Sequence, residues 1–457
     1  MLGLADLSLA DASSAIREGT ITPVDLAEAC LFRIEEVEPT VRAFAALDVD
    51  RTRRDAAALT EELEQGGPRG ALHGIPIGVK DVIDVGGMPT RAGSHVLDDE
   101  RIPDDAPVIR RLREAGAIIV GKTTTHEFAC GVTTPPTRNP WDVARIPGGS
   151  SGGSGAALSA GACIAALGTD SGGSVRIPAA FCGVSGLRPR RRTVPMDGII
   201  PFSWTHDTCG PLGRTADDLA HLWRVMSGDQ GVRTDLPIAG MKLGVLDPLQ
   251  SILEVQPEVE EATYAVADTL VDAGAERHDV SLPPFKEWDA SRAMVVASDM
   301  FAAHREARWY PQRIDRYSDD AVAFLQRGEA VTGGDLALAR HKLDDLGTRY
   351  LALFDEVDVV LVPTAIFTAP TVDYAFGATE TGAPPHLVPD VMRATGPVGW
   401  CGLVSVSVPS GFAADGMPVS IQFVARDEST ALSAAAAFQD ATDFHEARPA
   451  TEDIASG

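Results

Sequence analysis

The sequence predicts an α/β fold, and three observations lead to that prediction. From about residue 74 onward, short apolar segments rich in β-branched residues alternate with helical segments. The chain has 457 residues, 44% of them hydrophobic and 23% charged, which is ordinary for a globular protein with a large core. No internal repeat and no convincing domain boundary is evident, so one large domain is predicted.

The first part of the chain, residues 5–66, is predicted to be helical. Thr22 and Pro23 are typical of the N-cap and the first turn of a helix, and the residues after them have the apolar spacing of an amphipathic helix. A second helix is predicted from Asp50 to Gln65, because a Gly-Gly-Pro sequence follows it.

The later segments supply the alternation of helix and strand. A strand is predicted within residues 74–84, a helix, a glycine and a strand within 108–123, and a strand with a glycine loop within 162–173. Such alternation predicts a sheet that helices largely cover. A mostly helical stretch is predicted at 285–355, strands are predicted at 356–367 and 416–426, and a terminal helix is predicted at 432–444.

The charge of the chain restricts its partners. The net charge is −26, from 39 basic and 65 acidic residues, and no five basic residues occur in a row. Nucleic acids require clustered positive charge, so no nucleic-acid partner is expected. The same charge disfavours strongly anionic substrates unless a local arginine receives them.

Other features argue for a cytoplasmic protein without a cofactor. The six cysteines form no CxxC pair, which suits free thiols in a reducing compartment. The ten histidines are scattered, so no metal site is predicted. The N-terminus has neither the basic region nor the apolar core of a signal peptide. No apolar run approaches the ~18 residues of a membrane span.

Two glycine-serine segments, 148–154 and 168–178, are the candidates for chemistry. Apolar structure continues on both sides of the first segment, so a flexible linker is a poor explanation. A phosphate loop requires a lysine where Ser154 stands, which leaves a nucleotide-binding protein as a remote alternative. The hydrolase elbow GxSxG is matched at residues 149–153, but no strand precedes it.

A serine hydrolase with a lysine base remains. A serine hydroxyl needs a base to remove its proton, and a lysine serves only when neutral, although its free pKa is about 10.4. Lys80 lies in an apolar strand segment that could desolvate it. Residues 171–174 can present successive N–H groups to an oxyanion, because two of the four are glycines.

Lys80, residues 148–154 and residues 168–178, in this order, resemble the amidase signature family. The similarity extends to GIPIGVKD, GAIIVGKT, NPWD, GPLGRTADDL, LVPT and PVSIQFVA, and so covers nearly the whole chain. It implies a single domain over residues 1–457 with a central mixed β-sheet and helices on both faces. Within this domain, the resemblance implies a helical part at 1–70 and a catalytic core at 71–225. A variable substrate-side region follows at 226–355, and a C-terminal part at 356–457 completes the core.

The resemblance also implies roles for individual residues. Ser174 matches the nucleophile, Ser150 matches the bridging serine on a cis peptide bond after Gly149, and Lys80 matches the general base. Lys80 would draw the proton of Ser174 through Ser150, and Ser150 would return a proton to the leaving amine. The backbone N–H groups of the oxyanion hole would be those of Ser171, Gly172, Gly173 and Ser174.

Four polar residues of the motif have supporting roles in this interpretation. Asp170 is expected to order its loop rather than to act as an acid. Arg176 is expected to be structural, with the docking of a substrate carboxylate as the alternative. Ser151 and Ser154 are expected to form hydrogen bonds within their loop.

The sequence departs from the family pattern at three segments, 123–128, 131–140 and 186–192, and the second is shorter than in amidotransferase subunits. No SRYDG-type segment of a glutamine pocket is found. We therefore predict a free-standing amidase for small-molecule amides, with esters, anilides and carbamates as further candidates, working as a monomer or homodimer. The alternative is the glutamine-hydrolysing subunit of a tRNA-dependent amidotransferase. The aromatic residues Trp288, Trp309, Tyr310 and Tyr317 either line the pocket or pack between helices.

Overall fold

The core of the molecule is one mixed β-sheet. The computed structural model describes residues 2–97, 103–249, 253–283, 285–377, 387–451 and 454. Within these residues the sheet has eleven strands, in the order β1-β3-β2-β4-β6-β5-β10-β11-β9-β7-β8. The strands are β1 (Phe44–Leu47), β2 (Pro76–Lys80), β3 (Ile118–Thr123), β4 (Ala165–Asp170), β5 (Ser185–Arg188), β6 (Thr208–Gly213), β7 (Lys242–Leu246), β8 (Glu276–Val280), β9 (Val359–Pro363), β10 (Val404–Phe412) and β11 (Pro418–Ala425).

Strand direction divides the sheet into blocks. Strands β3, β2 and β4 run parallel to one another, as do β8, β7 and β9. Between these blocks, β6, β5, β10 and β11 pair in antiparallel fashion. The predicted mixed sheet is therefore confirmed. Buried parallel strands need cover on both faces, which helical crossovers provide.

The described residues form fifteen α-helices. They are α1 (Leu9–Arg17), α2 (Pro23–Val41), α3 (Val49–Gly66), α4 (Pro107–Glu114), α5 (Gly152–Ser159), α6 (Arg176–Phe181), α7 (Ala216–Ser227), α8 (Pro257–Asp272), α9 (Lys286–Glu306), α10 (Asp319–Ala330), α11 (Gly333–Leu351), α12 (Val372–Phe376), α13 (Leu387–Met392), α14 (Gly396–Cys401) and α15 (Glu428–Asp440). Short 3₁₀ segments occur at Leu2–Asp6, Glu127–Ala129, Ile314–Arg316, Ala352–Asp355 and Phe444–Glu446.

Helices cover both faces of the sheet, as predicted. Along β4, Ala165 and Leu167 belong to a hydrophobic cluster with α4 and α7. Ala166 lies between them in the chain and belongs to a second cluster with α2 and α5. Successive strand residues point to opposite faces, so the two clusters lie on opposite sides of the sheet. This alternation buries all six residues of β4.

The predicted helices of the N-terminal part are present, with one correction. Thr22 caps α2 through a capping box with Asp25, and α3 extends one residue beyond the predicted helix at each end. Residues 44–47, however, form β1, which pairs with the edge of β3. The prediction of an entirely helical segment over 5–66 was wrong there, because four half-buried residues are too short for a periodic pattern.

Candidate active site

Lys80 is the last residue of β2 and is fully buried. Strand β2 runs parallel to β4, with Val79 opposite Leu167, and this register brings Thr169 close to the lysine. Lys80 Nζ donates hydrogen bonds to Thr169 Oγ1 at 2.8 Å and to Ser150 Oγ at 2.7 Å. Both acceptors are hydroxyl groups, so the lysine has polar partners without a carboxylate in contact.

The surroundings of Lys80 favour its neutral form. Burial lowers the pKa of Lys80 to about 7, because the protonated form loses its hydration. The carboxylates of Asp207 and Asp170 act in the opposite direction and raise this pKa in part. An amine that titrates near neutral pH can accept a proton from a hydroxyl group and return it.

Ser150 is held by its backbone at the start of a glycine-serine segment. The Gly149–Ser150 peptide bond is cis, as the family resemblance implied. The Ser150 carbonyl accepts hydrogen bonds from Thr134 Oγ1 and from the backbone N–H of His126, both at 3.2 Å. Burial lowers the pKa of the His126 side chain to about 4, so His126 is neutral near pH 7. These bonds fix the backbone of Ser150, whose hydroxyl group faces Lys80.

Ser174 lies beside the other two residues through a backbone contact. Its carbonyl accepts a hydrogen bond from the Ser151 N–H at 3.1 Å. The residue is 7% exposed. Its hydroxyl group makes no hydrogen bond within the described ranges, and in particular none to Ser150. The structure therefore joins Lys80 to Ser150 and places Ser174 next to that pair with a free hydroxyl group.

The candidate oxyanion donors are only partly free. The Gly173 N–H donates to the Asp170 carboxylate at 2.8 Å, so it is already used. This corrects the sequence-based assignment and leaves the N–H groups of Ser171, Gly172 and Ser174 as candidates. Gly173 has φ +133°, and a side chain there would collide with Thr395. The chain therefore requires glycine at this position for conformation and space.

Asp170 is the centre of a buried ionic cluster, which comprises Asp170, Arg176 and Arg188. All three residues are fully buried, and each guanidinium lies 3.0 Å from the carboxylate. Burial disfavours the charged form of Asp170, but the two arginines outweigh it and hold the pKa of Asp170 well below its usual range. Arg176 also donates to Gln422 Oε1 at 2.8 Å. Its guanidinium is thus occupied by protein groups rather than open to a substrate carboxylate.

Ser151 and Ser154 bind the sheet rather than their own loop. Ser151 Oγ donates to the carbonyl of Thr169 at 3.2 Å, and Ser154 Oγ donates to the carbonyl of Leu167 at 2.8 Å. The expectation of hydrogen bonds within the loop was wrong, because α5 begins at Gly152 and turns these side chains toward β4. They attach the glycine-serine segment to the strand that carries Asp170.

Three residues near the site were missed by sequence reasoning. Thr169 binds Lys80, Arg188 completes the ionic cluster, and Asp207 accepts a hydrogen bond from Ser171 Oγ. Burial raises the pKa of Asp207, and hydrogen bonds from Ser171 and the Ser203 N–H lower it in part. Arg188 lies in segment 186–192, which departs from the family pattern, and this departure was the sequence signal for the cluster. Its partner, however, lies on another strand of the sheet.

The four aromatic residues of the middle region pack between helices. Trp288 meets Tyr350 edge to face at 6.3 Å between ring centres. Tyr317 Oη lies 2.7 Å from His304 Nδ1, and Trp309 stacks on Phe128 at 5.5 Å. The remaining aromatic residue, Tyr310, is buried and meets Phe301. Packing between helices accounts for each of these side chains.

Comparison with known proteins decides the family. The sequence model of the amidase family, described as Amidase, matches residues 25–431. The chain belongs to the amidase family. This amidase is accordingly a hydrolase of carbon–nitrogen amide bonds. No helix in the described ranges is long and apolar enough to cross a membrane, and these ranges hold no metal-binding cluster of His, Cys, Asp or Glu.

Sequence relatives and structural neighbours of this amidase differ in their names. The A subunit of the glutamyl-tRNA(Gln) amidotransferase of Chloroflexus aurantiacus is 36% identical over 495 aligned positions, covering 98% of this chain and 99% of the relative. A solved structure described as an amidase has a TM-score of 0.86 at 32% identity, over 95% of this chain and 99% of that one. The corresponding amidotransferase chain of Thermotoga maritima has a TM-score of 0.80 at 28% identity, over 95% of both chains.

These names bear on the predicted type of amidase. The sequence relatives at 33–36% identity are amidotransferase subunits, so they favour the alternative prediction over the free-standing amidase. The structural neighbours include both types. The family prediction is confirmed, and the setting in which the enzyme works belongs to the proposal below.

Proposed function

We propose that this amidase cleaves carboxylic amides through an acyl-enzyme on Ser174. The observation that carries the proposal is the 2.7 Å hydrogen bond between buried Lys80 and Ser150, in a site where burial lowers the pKa of Lys80 to about 7. A neutral lysine beside a hydroxyl group is a base that can activate a serine nucleophile.

The proposed reaction has two halves. In the first, a change of side-chain rotamer lets Ser174 Oγ donate to Ser150 Oγ, Ser150 passes its own proton to Lys80, and Ser174 attacks the carbonyl carbon. The tetrahedral oxyanion is held by the N–H groups of Ser171, Gly172 or Ser174. The proton then returns through Ser150 to the leaving nitrogen, the C–N bond breaks, and the Ser174 ester remains.

In the second half, water replaces the leaving amine. Lys80 takes a proton from water through Ser150, and the resulting hydroxide attacks the ester carbonyl. The proton returns to Ser174 Oγ as the acid leaves, so the enzyme is restored. Esters, anilides and carbamates carry a similar attackable carbonyl, and we include them in the substrate range to be tested.

The acyl-enzyme can be tested directly. The purified chain is incubated with a panel of primary amides and anilides, and the released ammonia or aniline is measured together with the intact protein mass. We expect turnover by the wild type, and no turnover or acylated mass in Ser174→Ala. A matched variant, Ser227→Ala, changes a serine on α7 and is expected to retain full activity. Wild-type turnover in a folded Ser174→Ala variant would sink the proposal.

Two settings are compatible with this chemistry. In the first, the chain is a free-standing enzyme for small-molecule amides, as a monomer or homodimer. In the second, it supplies ammonia from glutamine within a tRNA-dependent amidotransferase, as the names of its sequence relatives suggest. Because those relatives cover 98% of the chain, glutamine is the first amide to test.

Glutamine hydrolysis separates the two settings. The isolated chain is assayed with glutamine and with small aliphatic amides, and its mass in solution is measured by light scattering. High turnover of aliphatic amides by an isolated homomer supports the free-standing setting. Turnover restricted to glutamine, and raised by the other amidotransferase components and tRNA, supports the second.

A further inference from the structure

Asp299 is a buried carboxylate on α9, in the middle region of the chain. Its Oδ2 atom accepts hydrogen bonds from Ser203 Oγ at 2.7 Å and from Thr205 Oγ1 at 2.6 Å. The Thr205 N–H donates to the same oxygen at 3.3 Å. A buried donor without an acceptor is costly, so this one carboxylate holds all three donors in a single arrangement.

These donors belong to a tight turn at residues 202–207, which a second carboxylate closes from within. Asp207 Oδ2 accepts hydrogen bonds from the N–H groups of Phe202 and Ser203 at 2.8 and 2.9 Å. In return, the Ser203 carbonyl accepts from the N–H groups of His206 and Asp207 at 3.0 and 2.9 Å. Four hydrogen bonds within six residues make the 202–207 turn a stiff unit, so a displacement of Ser203 also displaces Asp207.

His206 adds a further constraint inside the 202–207 turn. Its Nδ1 atom lies 3.0 Å from Ser203 Oγ and 2.9 Å from Thr205 Oγ1. Both hydroxyl groups give their hydrogen atom to Asp299, so Nδ1 must be the donor and must carry the proton of the ring. Burial lowers the pKa of His206 well below its usual value, so the ring stays neutral. Asp299 thereby also fixes the tautomer of a buried histidine.

The 202–207 turn is attached on its other side to the loop that carries the candidate oxyanion donors. Ser171 Oγ donates a hydrogen bond to Asp207 Oδ1. Ser171 is the first residue of the 171–174 loop. Directly after the turn, β6 begins and pairs with β4, the strand that leads into that loop. The turn therefore joins α9 to the oxyanion loop through side chains and through the sheet.

We propose that Asp299 is a positioning residue for the oxyanion hole and acts through the 202–207 turn on the N–H groups of the 171–174 loop. This inference rests on the proposed acyl-enzyme reaction and deepens it. Oxyanion donors are effective only when they are aimed in advance at the oxygen of the tetrahedral intermediate. Two of the four loop residues are glycines, which are conformationally permissive, so the loop needs support from outside.

The first test removes the carboxylate. Asp299→Ala leaves three donors without their acceptor, so the 202–207 turn is free to shift. We expect kcat for the best amide of the panel to fall about 30-fold, because misaimed oxyanion donors weaken binding of the transition state. KM should stay close to the wild-type value, since the substrate carbonyl carries no full charge before attack. Asp299→Asn retains an oxygen for the same donors and should recover most of kcat.

Two control variants separate positioning from charge and from general stability. Arg340→Met removes a guanidinium 3.9 Å from Asp299 Oδ1 but leaves the three hydrogen bonds, so kcat should be unchanged. Asp218, on α7, is also a buried carboxylate that accepts from backbone N–H groups, among them that of Arg214 at 2.9 Å. Asp218→Ala should lower the melting temperature without lowering kcat per folded molecule. An equal loss of kcat in Asp218→Ala would overturn the proposal, and so would a raised KM with unchanged kcat in Asp299→Ala.

The second test changes the turn and keeps the carboxylate, so it does not depend on the stability of Asp299→Ala. Ser203→Ala and Thr205→Val each remove one donor hydroxyl group. Each variant should lower kcat less than Asp299→Ala does. The double variant should approach the loss in Asp299→Ala, because all of these changes act through the same contacts. Wild-type kcat in a folded double variant would contradict the role of Asp299.

The third test measures the link without turnover, by hydrogen exchange and mass spectrometry. The N–H groups of Gly173 and Val175 donate to Asp170, so they should exchange slowly in the wild type. Their exchange should be faster in Asp299→Ala and in the double variant, and unchanged in Asp218→Ala. Failure of every amide to turn over would refute the proposed hydrolysis, while exchange would still report on this link. Faster exchange confined to residues 202–207 would show that Asp299 does not act on the oxyanion loop.

Discussion

The Lys80 site and the Asp170 cluster are equally buried but treat charge in opposite ways. Lys80 meets two hydroxyl groups, and burial lowers its pKa to about 7. Asp170 meets two guanidiniums and the N–H groups of Gly173 and Val175, and its pKa stays well below the usual range despite burial. The comparison shows that the partners, rather than the depth, decide whether a buried group keeps its charge.

Lys80 and Asp170 therefore have different functions in the site. Lys80 can gain and lose a proton near neutral pH, so it suits chemistry. Asp170 stays ionised, so it suits architecture, and its carboxylate positions the loop that ends at Ser174. The two strands that carry these groups, β2 and β4, are neighbours in the sheet, so one rigid element holds both functions in register.

The largest expected effect comes from removing the amine of Lys80, the group that gains and loses a proton. Lys80→Met keeps the length and apolar character of the side chain but has no base. We expect kcat to fall by about 10³ or more, since only binding and oxyanion stabilisation remain. The fold should be retained, because a buried amine is replaced by an apolar group of similar volume. Stopped assays of amide hydrolysis, with melting curves for folding, measure both quantities.

The control for this variant is the other buried lysine of the same region. Lys122 lies on β3 and forms an ion pair with Asp81 at 2.9 Å, so its charge is matched. Lys122→Met should therefore cost stability, while leaving kcat per folded molecule close to that of the wild type. A Lys80→Met variant that retains wild-type turnover would contradict the role of Lys80 as the base.

The next largest effect comes from removing the negative charge of the ionic cluster. Asp170→Asn leaves Arg176 and Arg188 buried beside each other without an anion. We expect a loss of about 3–5 kcal/mol in the free energy of unfolding, as for a buried pair that loses one partner. Urea denaturation measures it. Asp235→Asn, which breaks an exposed pair with Arg233, is the control and should leave the unfolding midpoint unchanged. Equal midpoints for both variants would contradict the buried-cluster interpretation.

The comparison also shows what the sequence could predict. The alternation of segments predicted an α/β fold with a covered sheet, and the family resemblance implied that the sheet is mixed and that Lys80, Ser150 and Ser174 form one site. In the structure, the Ser151 N–H donates to the Ser174 carbonyl, and Lys80 Nζ donates to Ser150 Oγ. Local patterns succeed here because each segment contributes one strand end or one helix start, and parallel strands bring such ends to one edge.

Other features required the three-dimensional register. Arg188 reaches Asp170 only because β5 and β4 both flank β6, and no local pattern expresses that pairing. The use of the Gly173 N–H by Asp170 depends on loop geometry. The strand at residues 44–47 depends on the edge of β3, a partner more than seventy residues away.

The smallest expected effect is a displacement of the pH profile. Amide hydrolysis should increase as the pH rises through about 7, because Lys80 must lose its proton to act as the base. The Asp207 carboxylate favours the protonated form of Lys80 and so raises its pKa. Asp207→Asn should therefore lower the pKa of Lys80 and move the midpoint of the profile to a lower pH. Measuring kcat/KM from pH 5 to 9 determines the midpoint.

The direction of this shift in the pH profile tests the comparison between Lys80 and Asp170, because it depends on the charged groups around Lys80. The amide side chain of the Asp207→Asn variant would retain a carbonyl oxygen for the Ser203 N–H, so the loop has a reason to stay in place while the charge is removed. Asp217→Asn removes an exposed carboxylate at the start of α7 and should leave the midpoint unchanged. A midpoint that rises in Asp207→Asn would mean that another group limits the rate. In that case burial of Lys80 among hydroxyl groups would not explain the base.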